Sequence, residues 1–353
     1  MKLNKLSVTR FGWKLNDLIF QDVNLIVGKN AVGKSRTIEA LDAFVKLLLQ
    51  QWYNRVDNSS WKIELDGEKT LSYYVCFSNN TVVEESIKYE GEDVLRRKNN
   101  KTEIKSFDEG LWSEINPPAD KLVLHVRRDT KEYPYLEHIV KWAENTYGLK
   151  FGKIIPGLSS ENDMYDLFSG HEPIASMFEL LNDEGKNRII ESFRELEYKI
   201  LEVKTYEVQN IIKRLKIKEE GVNGDILETG ISQGMLRSLY LLIFIEYIAN
   251  KKEPQMLVID DLCEGLDYQR ATALGKMVFS LCKEKNIQLI ATSNDGFLMD
   301  VVDIDYWNVL QREGSIVTGI NKINSPKLFE DFKFTGLSNF DFFSSDYLGQ
   351  NQR

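Results

Sequence analysis

The chain of 353 residues has few of the residues that build disulfide frameworks and zinc sites. It has three cysteines and three histidines: Cys76, Cys263, Cys282, His125, His138 and His171. The cysteines are odd in number and lack metal-ligand spacing, which is typical of a protein in a reducing cytoplasm. The histidines lie far apart along the chain. These counts argue against a secreted disulfide scaffold, a histidine-based zinc site and an HNH-type nuclease.

Long apolar runs are also missing. The longest, LYLLIFIEYIA, is interrupted by Glu246 and is shorter than the roughly 20 apolar residues that cross a bilayer. The N-terminal MKLNKLSVTR alternates apolar and polar residues like a strand and lacks the apolar block of a signal peptide. The sequence therefore predicts a cytoplasmic protein that does not interact with membranes.

The chain also lacks an excess of positive charge. The chain has 45 basic and 54 acidic residues, and the net charge of −9 argues against general coating of nucleic acid. Two local basic stretches, RRKNNKTEIK (96–105) and KRLKIK (213–218), are nevertheless candidate DNA contacts. The alternative interpretation is that they form a solvated hairpin tip and a solvated helix face.

Hydrophobic periodicity predicts both strands and helices. VNLIV (23–27) has the composition of a buried strand, and the period of two from 61 to 107 predicts an antiparallel meander. We expect a further strand at 121–126 and helices over 136–149 and most of 173–217. The C-terminal third alternates helices with the strands MLVID and IQLIA and ends in a β-pair and an aromatic tail.

This pattern predicts an α/β fold with a mostly parallel sheet, an N-terminal antiparallel β lobe and a helical insertion. The predicted divisions are 1–133 for the N-terminal half of the core, 134–230 for the helical insertion and 231–353 for the C-terminal half.

A glycine-rich loop, GKNAVGKS, follows the first buried strand and precedes an amphipathic helix. It matches the phosphate-binding pattern G-x-x-x-x-G-K-[ST] at every fixed position, so we predict a P-loop NTPase fold that binds ATP and Mg²⁺. In such a loop backbone N–H groups surround the phosphates, Lys34 reaches the β- and γ-oxygens and Ser35 ligates the metal. The alternative is a glycine-rich turn without chemistry. The predicted nucleotide-binding residues here are Gly28, Lys29, Asn30, Ala31, Val32, Gly33, Lys34, Ser35 and Arg36.

Two aspartates end the apolar strand MLVIDD. We predict that Asp260 holds Mg²⁺ through water and that Asp261 orients or deprotonates the attacking water. The alternative is that the pair caps the helix that follows.

The segment ISQGM begins a strongly apolar helix. Ser232 is suited to an ordinary N-cap role, in which its hydroxyl accepts from a backbone N–H of the first turn. Alternatively, the hydroxyl of Ser232 and the N–H of Gly234 form an anion site at the helix N-terminus. This stretch alone does not decide between the two.

Taken in order, GKNAVGKS, ISQGM, VIDDLCEGLD and LIATSN resemble the Walker A, signature, Walker B with D-loop, and switch motifs of ABC-type ATPases. The long insertion between Ser35 and Ser232 is similar to the SMC, RecF and OLD-like branch. Residues 127–151 resemble stand-alone AAA-type ATP-binding proteins of prokaryotic anti-phage defence systems.

The resemblance implies a head-to-tail homodimer in which Ser232 and Gly234 of one subunit face the γ-phosphate bound by the other. It also implies that Asp267 couples the two sites and that ATP hydrolysis controls a separate effector protein. The sequence departs from the family in several places, which include Gln233 for the second signature glycine and Met235 for the final glutamine. Asp261 stands where a catalytic glutamate is usual, which is consistent with slow hydrolysis, and Asn294 replaces the switch histidine. No glutamine ends a strand between the first two motifs.

Three alternatives stay open. One is a nucleotide-gated scaffold or sensor with little turnover, which Asp261 and Asn294 favour. The others are a RecF-like DNA repair ATPase and, less favoured by the long insertion, a transporter ATPase.

Overall fold

The structure, a computed structural model, describes residues 1–51, 58–99, 101–155, 174–209, 212–345 and 347. The chain folds as two compact units. The first unit consists of Met1–Thr146 and Asp305–Glu330, and the second of Tyr147–Ile304 and Asp331–Arg353. The division of the chain at residues 133 and 230 stays a prediction.

The helices and strands follow in chain order. The N-terminal part contains β1 (Lys2–Arg10), β2 (Trp13–Ile19), β3 (Val23–Val27), α1 (Lys34–Leu48), β4 (Ser59–Asp66), β5 (Leu71–Ser78), β6 (Thr81–Tyr89), β7 (Glu92–Lys98), β8 (Lys101–Lys105), β9 (Trp112–Ile115), α2 (Val123–Val126), α3 (Pro134–Glu144) and β10 (Thr146–Lys150). The middle contains α4 (Ile174–Leu180), α5 (Asp183–Glu195), β11 (Ile200–Val208), β12 (Ile212–Glu219), β13 (Ile226–Leu227), α6 (Gln233–Ala249), β14 (Met256–Asp260), α7 (Tyr268–Glu284), β15 (Gln288–Thr292) and α8 (Gly296–Val301). The C-terminal part contains β16 (Trp307–Glu313), β17 (Ile316–Ile320), α9 (Pro326–Lys333) and α10 (Asn339–Ser344).

The sheet of the first unit is mixed. Its strands lie in the order β3-β16-β17-β2-β1-β4-β5-β6-β7-β8-β9. The pairs β3–β16 and β17–β2 are parallel, and Leu25 lies opposite Trp307. From β2 outward every pair is antiparallel, which confirms the predicted N-terminal β lobe.

The helix after the glycine-rich loop is fixed to this lobe by aromatic packing. The ring of Phe44 on α1 stacks on Trp61 of β4 with centroids 5.7 Å apart. The indole Nε1 of Trp61 donates to the carbonyl of Ala40 at 3.0 Å. At the other end, the imidazole Nε2 of His125 lies 3.0 Å from the carbonyl of Leu47. The interlocking rings and the carbonyl contact hold α1 rigidly beside its loop.

The second unit contains two sheets. In the first, β10 lies beside β14, and β14 runs parallel to β15 with Leu257 opposite Leu289. In the second, β11, β12 and β13 form an antiparallel sheet. Both β14 and β15 are buried along their whole length, as expected for strands covered on both faces.

The glutamate that interrupts the apolar run of α6 has a structural partner. Glu246 is 3% exposed, and its carboxylate pairs with Arg188 at 2.8 Å and with Lys285 at 3.3 Å. These pairs satisfy a buried charge that would otherwise be costly. Within the described ranges, no helix combines the length and the apolarity needed to cross a bilayer.

The predicted strand at 121–126 is wrong, because part of this segment forms the short helix α2. Two side chains of the antiparallel lobe form hydrogen bonds with the backbone of this segment. The carboxylate of Glu85 accepts from the N–H of Val123 at 3.1 Å, and Arg97 donates to the carbonyl of Lys121 at 2.7 Å. Contacts from residues distant in sequence therefore override the local apolar pattern.

The long helical prediction is correct only in part. Helix α3 ends at Glu144 and is followed by β10, and the stretch after α5 forms β11 and β12 instead of a helix. On β12 the buried Leu215 and Ile217 alternate with cations, which is a period of two. The insertion is therefore mixed rather than helical. Residues 173, 210 and 211 of this prediction lie outside the described residues.

The buried carboxyl of Glu85 generates a prediction about stability. It accepts from the hydroxyl of Tyr73 at 2.8 Å and lies 3.5 Å from Nη1 of Arg97. Burial raises the pKa of Glu85 from 4.5 to about 7, although these partners act to lower it. The folded state thus binds this proton more tightly than the unfolded chain.

We expect the free energy of unfolding of the wild type, relative to Glu85→Gln, to fall between pH 4.5 and about 7. The slope should reach at most about 1.4 kcal/mol per pH unit, since one proton is involved. Urea unfolding across this range measures it, with the half-exposed Glu84→Gln as the matched control. Parallel profiles for the wild type and Glu85→Gln would contradict the prediction.

Candidate functional site

Packing explains both fixed glycines of the loop. A Cβ at Gly28 would lie 2.8 Å from Cγ1 of Val32 and 3.0 Å from the carbonyl oxygen of Leu310. Gly33 has a φ of 121°, and a Cβ there would lie 3.3 Å from Nε1 of Trp13. Because other residues are strained in this backbone region, glycine is required at Gly33 by conformation as well as by space.

Lys34 is 7% exposed and begins α1. Its Nζ donates to the carbonyl of Gly28 at 2.6 Å and reaches that of Lys29 at 3.4 Å. No side-chain cap bonds to the N-terminus of α1. The loop therefore presents an ammonium and a helix N-terminus, an arrangement that attracts phosphate.

The remaining residues of the loop differ in exposure. Lys29, Asn30, Ala31 and Arg36 are exposed, Ser35 is half-buried and Val32 is buried. The guanidinium of Arg36 lies 5.8 Å from the Trp13 ring centroid, which gives Arg36 a packing role that does not depend on nucleotide.

One contact to the loop was missed by the sequence analysis. Arg312 of β16 donates from Nη1 to the carbonyl of Ala31 at 3.1 Å. Ala31 has a φ of 64°, so this hydrogen bond supports an unusual backbone conformation. Only the pairing of β16 with β3 brings the arginine to the loop.

The two predicted carboxylates stand at the end of β14 in the second unit. Asp260 is 5% exposed, and its Oδ1 accepts from the hydroxyl of Thr292 at 2.7 Å. The same hydroxyl accepts from the N–H of Asp261 at 2.9 Å. Thr292 thereby ties the ends of β14 and β15 together and orients the first carboxylate.

The structure brings Asp261 and Asn294 into contact. Nδ2 of Asn294 donates to Oδ1 of Asp261 at 3.2 Å. Both line a cavity of about 290 Å³ together with Glu264, Ser293 and other residues of the same unit. The cavity is open to water, and the role of Asp261 as a base stays a prediction.

Lys150 is a second residue that sequence reasoning missed. It ends β10, and its Nζ lies 3.4 Å from Oδ2 of Asp260. Although partial burial lowers the pKa of Lys150, the carboxylate of Asp260, followed by those of Asp261 and Glu264, raises it above the usual value. Lys150 is therefore a protonated counter-ion beside the predicted metal carboxylate.

The signature segment lines a second cavity. Ser232 occupies the N-cap position of α6, but its side chain makes no capping hydrogen bond. A Cβ at Gly234 would lie 2.9 Å from Cδ2 of Leu266, so the backbone of Gly234 packs closely against that side chain. Ser232 and Gly234 line a cavity of about 590 Å³. The exposed hydroxyl is thus not used to build the helix.

Asp267 lines the same cavity and has a local structural role. It caps α7 by accepting from the N–H of Arg270 at 3.1 Å, and Nη1 of Arg270 donates to it at 2.6 Å. The hydrogen bond from the guanidinium, together with that from the backbone N–H, lowers the pKa of Asp267. Arg270 also lies 4.4 Å from the ring centroid of Tyr198. The predicted role of Asp267 in coupling the two nucleotide sites stays a prediction.

The donors predicted for Mg²⁺ are the hydroxyl of Ser35 in the first unit and the carboxylate of Asp260 in the second, and this assignment stays a prediction. Oxygen ligands of this kind suit a hard cation that keeps several waters and binds nucleotide phosphates. No group of three His, Cys, Asp or Glu side chains that could hold a metal occurs among the described residues.

The basic stretches are neutralised by acidic neighbours. In 96–105, the ion pairs are Arg96–Asp93, Arg97–Glu85, Lys98–Glu84, Lys101–Glu103 and Lys105–Glu92. In 213–218, they are Lys213–Glu179, Arg214–Glu228 and Lys216–Asp225. Asn100 lies outside the described residues. These stretches offer little uncompensated charge to a phosphate backbone.

Sequence comparison agrees with the loop. Residues 1–148 match the family model described as an AAA ATPase domain. This similarity implies ATP binding and is typical of proteins that hydrolyse ATP. A search of curated proteins finds no match to the chain.

Structural comparison extends over both units. An SMC head bound to the C-terminal winged-helix domain of ScpA has a TM-score of 0.52 and 13% identity, covering 93% of this chain and 100% of that one. An SMC head with an extended coiled coil, bound to the C-terminal domain of ScpA derived from Pyrococcus furiosus, has a TM-score of 0.52 and 12% identity, covering 94% and 99%. The likeness shows the fold: an α/β P-loop NTPase fold resembling the SMC head, with a mixed sheet and an antiparallel N-terminal lobe.

Proposed function

We propose that the chain is a Mg²⁺-dependent ATPase that works as a head-to-tail homodimer. The observation that carries the proposal is the loop from Gly28 to Ser35. It joins a fully buried strand to a helix with no side-chain cap, and its ammonium is buried among loop carbonyls. A turn that served only packing would not need a buried lysine there.

ATP binding would replace the hydrogen-bond partners of Lys34 in the loop. Lys34 would leave the carbonyls of Gly28 and Lys29 for the β- and γ-phosphates, and the N-terminal N–H groups of α1 would bind the same anion. Mg²⁺, held by Ser35 and through water by Asp260, would neutralise developing charge. Asp261 would orient or deprotonate the attacking water.

The dimer is supported by the side chain of Ser232. A serine at an N-cap normally bonds to its own helix, and this hydroxyl does not. Instead it lines a cavity with the N-terminus of α6, which suits a phosphate delivered by a second subunit. We infer that Asp267, on the same cavity, links the two sites.

The output of the ATPase would be control of a separate effector protein. The resemblance of residues 127–151 to anti-phage ATP-binding proteins is the basis for proposing a defence role. Two solved SMC heads of this fold are bound to ScpA domains, and this supports a protein partner for the present chain. The internally paired basic stretches give no support to DNA as the partner.

A second candidate is a nucleotide-gated scaffold with little turnover. The hydrogen bond from Asn294 to Asp261 favours it, since the amide occupies one of the carboxylate oxygens that would accept a proton from the attacking water. Asp261 is also one methylene shorter than glutamate. A turnover measurement distinguishes the two functions.

Replacing Lys34 tests nucleotide binding. We expect Lys34→Ala to weaken ATP binding at least about a hundredfold, because a charge-assisted phosphate contact is lost. Isothermal titration measures the affinity, and thermal unfolding checks that the variant folds. Lys62→Ala, at a partly exposed lysine of the same unit, is the control. Wild-type affinity in a folded Lys34→Ala protein would contradict the assignment.

Replacing Asp261 tests the proposed base. Asp261→Asn should bind ATP as the wild type does but lose its hydrolysis, since an amide cannot accept the proton, and should accumulate as a closed dimer. Steady-state phosphate release and light scattering measure turnover and dimer. Asp225→Asn, which makes the same change at a residue distant in sequence, is the control. If Asp261→Asn turned over at the wild-type rate, the base would be another group.

Mixed dimers test action in trans. Lys34→Ala and Ser232→Arg homodimers should both be inactive. In a mixed dimer both lesions meet in one composite site and leave the other intact. An equimolar mixture of exchanging subunits should therefore recover at most about a quarter of wild-type ATPase activity. A covalently linked mixed dimer serves as the control for subunit exchange. Full activity of Ser232→Arg alone would refute the signature assignment.

A further inference from the structure

Lys150 lies at a position for which the proposed mechanism has no role. It ends β10, a strand that lies in the chain between the loop and the signature segment. Strand β10 lies beside β14, and this pairing brings the ammonium of Lys150 to the carboxylate of Asp260.

Both oxygens of Asp260 are occupied. Oδ1 accepts from the Thr292 hydroxyl at 2.7 Å, and Oδ2 lies 3.4 Å from Nζ of Lys150. The hydroxyl of Thr292 also accepts from the N–H of Asp261, so it cannot move away from Asp260 without breaking this second hydrogen bond. Lys150, whose side chain is 34% exposed, is the partner that solvent or a metal-bound water can replace.

The backbone that follows Lys150 is held in place. Nη2 of Arg237 donates to the carbonyl of Gly152 at 2.8 Å, and Nη1 donates to that of Glu264 at 3.0 Å. Exchange at Asp260 therefore requires only rotation of the flexible lysine stem and leaves the strand end where it is.

We propose that Lys150 is a positioning residue for Mg²⁺. Its ammonium is the counter-ion of Asp260 in the metal-free protein, and Mg²⁺ entering with nucleotide displaces it. The inference rests on the proposed function, because it takes Asp260 as the metal carboxylate. A monovalent cation beside that carboxylate opposes a divalent one by direct repulsion and by competition for Oδ2. Lys150 thereby raises the Mg²⁺ concentration at which nucleotide binds.

The test is the Mg²⁺ dependence of binding of a fluorescent ATP analogue, measured at fixed nucleotide concentration. In Lys150→Gln the half-saturating Mg²⁺ concentration should fall roughly tenfold, since a like charge is removed from the metal carboxylate. Lys150→Arg should stay near the wild type. Lys153→Gln removes the same charge from an exposed residue of the same segment and should leave the half-saturating Mg²⁺ concentration unchanged. Thermal unfolding checks each variant.

A double-mutant cycle tests whether Lys150 acts through Asp260. In an Asp260→Asn background, the additional Lys150→Gln change should no longer shift the Mg²⁺ dependence. An unaltered Mg²⁺ dependence in Lys150→Gln alone would overturn the proposal. Weaker nucleotide binding by that variant at saturating Mg²⁺ would also overturn it, by making Lys150 a phosphate ligand. A wild-type protein that binds no nucleotide at any Mg²⁺ concentration would instead reject the proposed function, and this assignment with it.

Discussion

Full burial of three short strands, β3, β14 and β15, is the constraint on which the rest of the structure depends. Polar groups at the ends of such strands leave water on folding and must find partners inside the protein. The chain meets this requirement with the loop carbonyls around Lys34 and the Thr292 hydroxyl between Asp260 and Asp261. The candidate site is therefore part of what allows these strands to be buried.

Three charged groups of the candidate site have partners within the protein. Lys34 bonds to loop carbonyls, Asp260 pairs with Lys150, and Asp261 accepts from Asn294. A ligand must replace these partners, so the net gain on binding is the difference between two sets of contacts. Such an exchange suits a protein that responds to nucleotide by changing state, because the ligand-free state is itself stable.

The charged side chains of the antiparallel lobe and of the sheet formed by β11, β12 and β13 are arranged differently from those of the candidate site. In that lobe and sheet many of the cations lie beside acidic side chains, and many of these pairs are solvent-exposed. Exposed pairs of this kind add little stability. Their effect is to leave the surface without a strong positive field, in keeping with the overall net charge of −9.

The sequence by itself determined what is local. The P-loop, the strand VNLIV, the aspartates after MLVID and the helix after Ser232 are each encoded in a few consecutive residues, and periodicity was enough for the antiparallel lobe. Tertiary structure decided what depends on distant partners. Glu85 and Arg97 turned the expected strand at 121–126 into α2. The β-hairpin of β11 and β12 replaced an expected helix, and the pairing of β10 with β14 brought Lys150 to Asp260. A sequence pattern records neighbours along one chain segment, whereas these outcomes depend on which side chains fold against it.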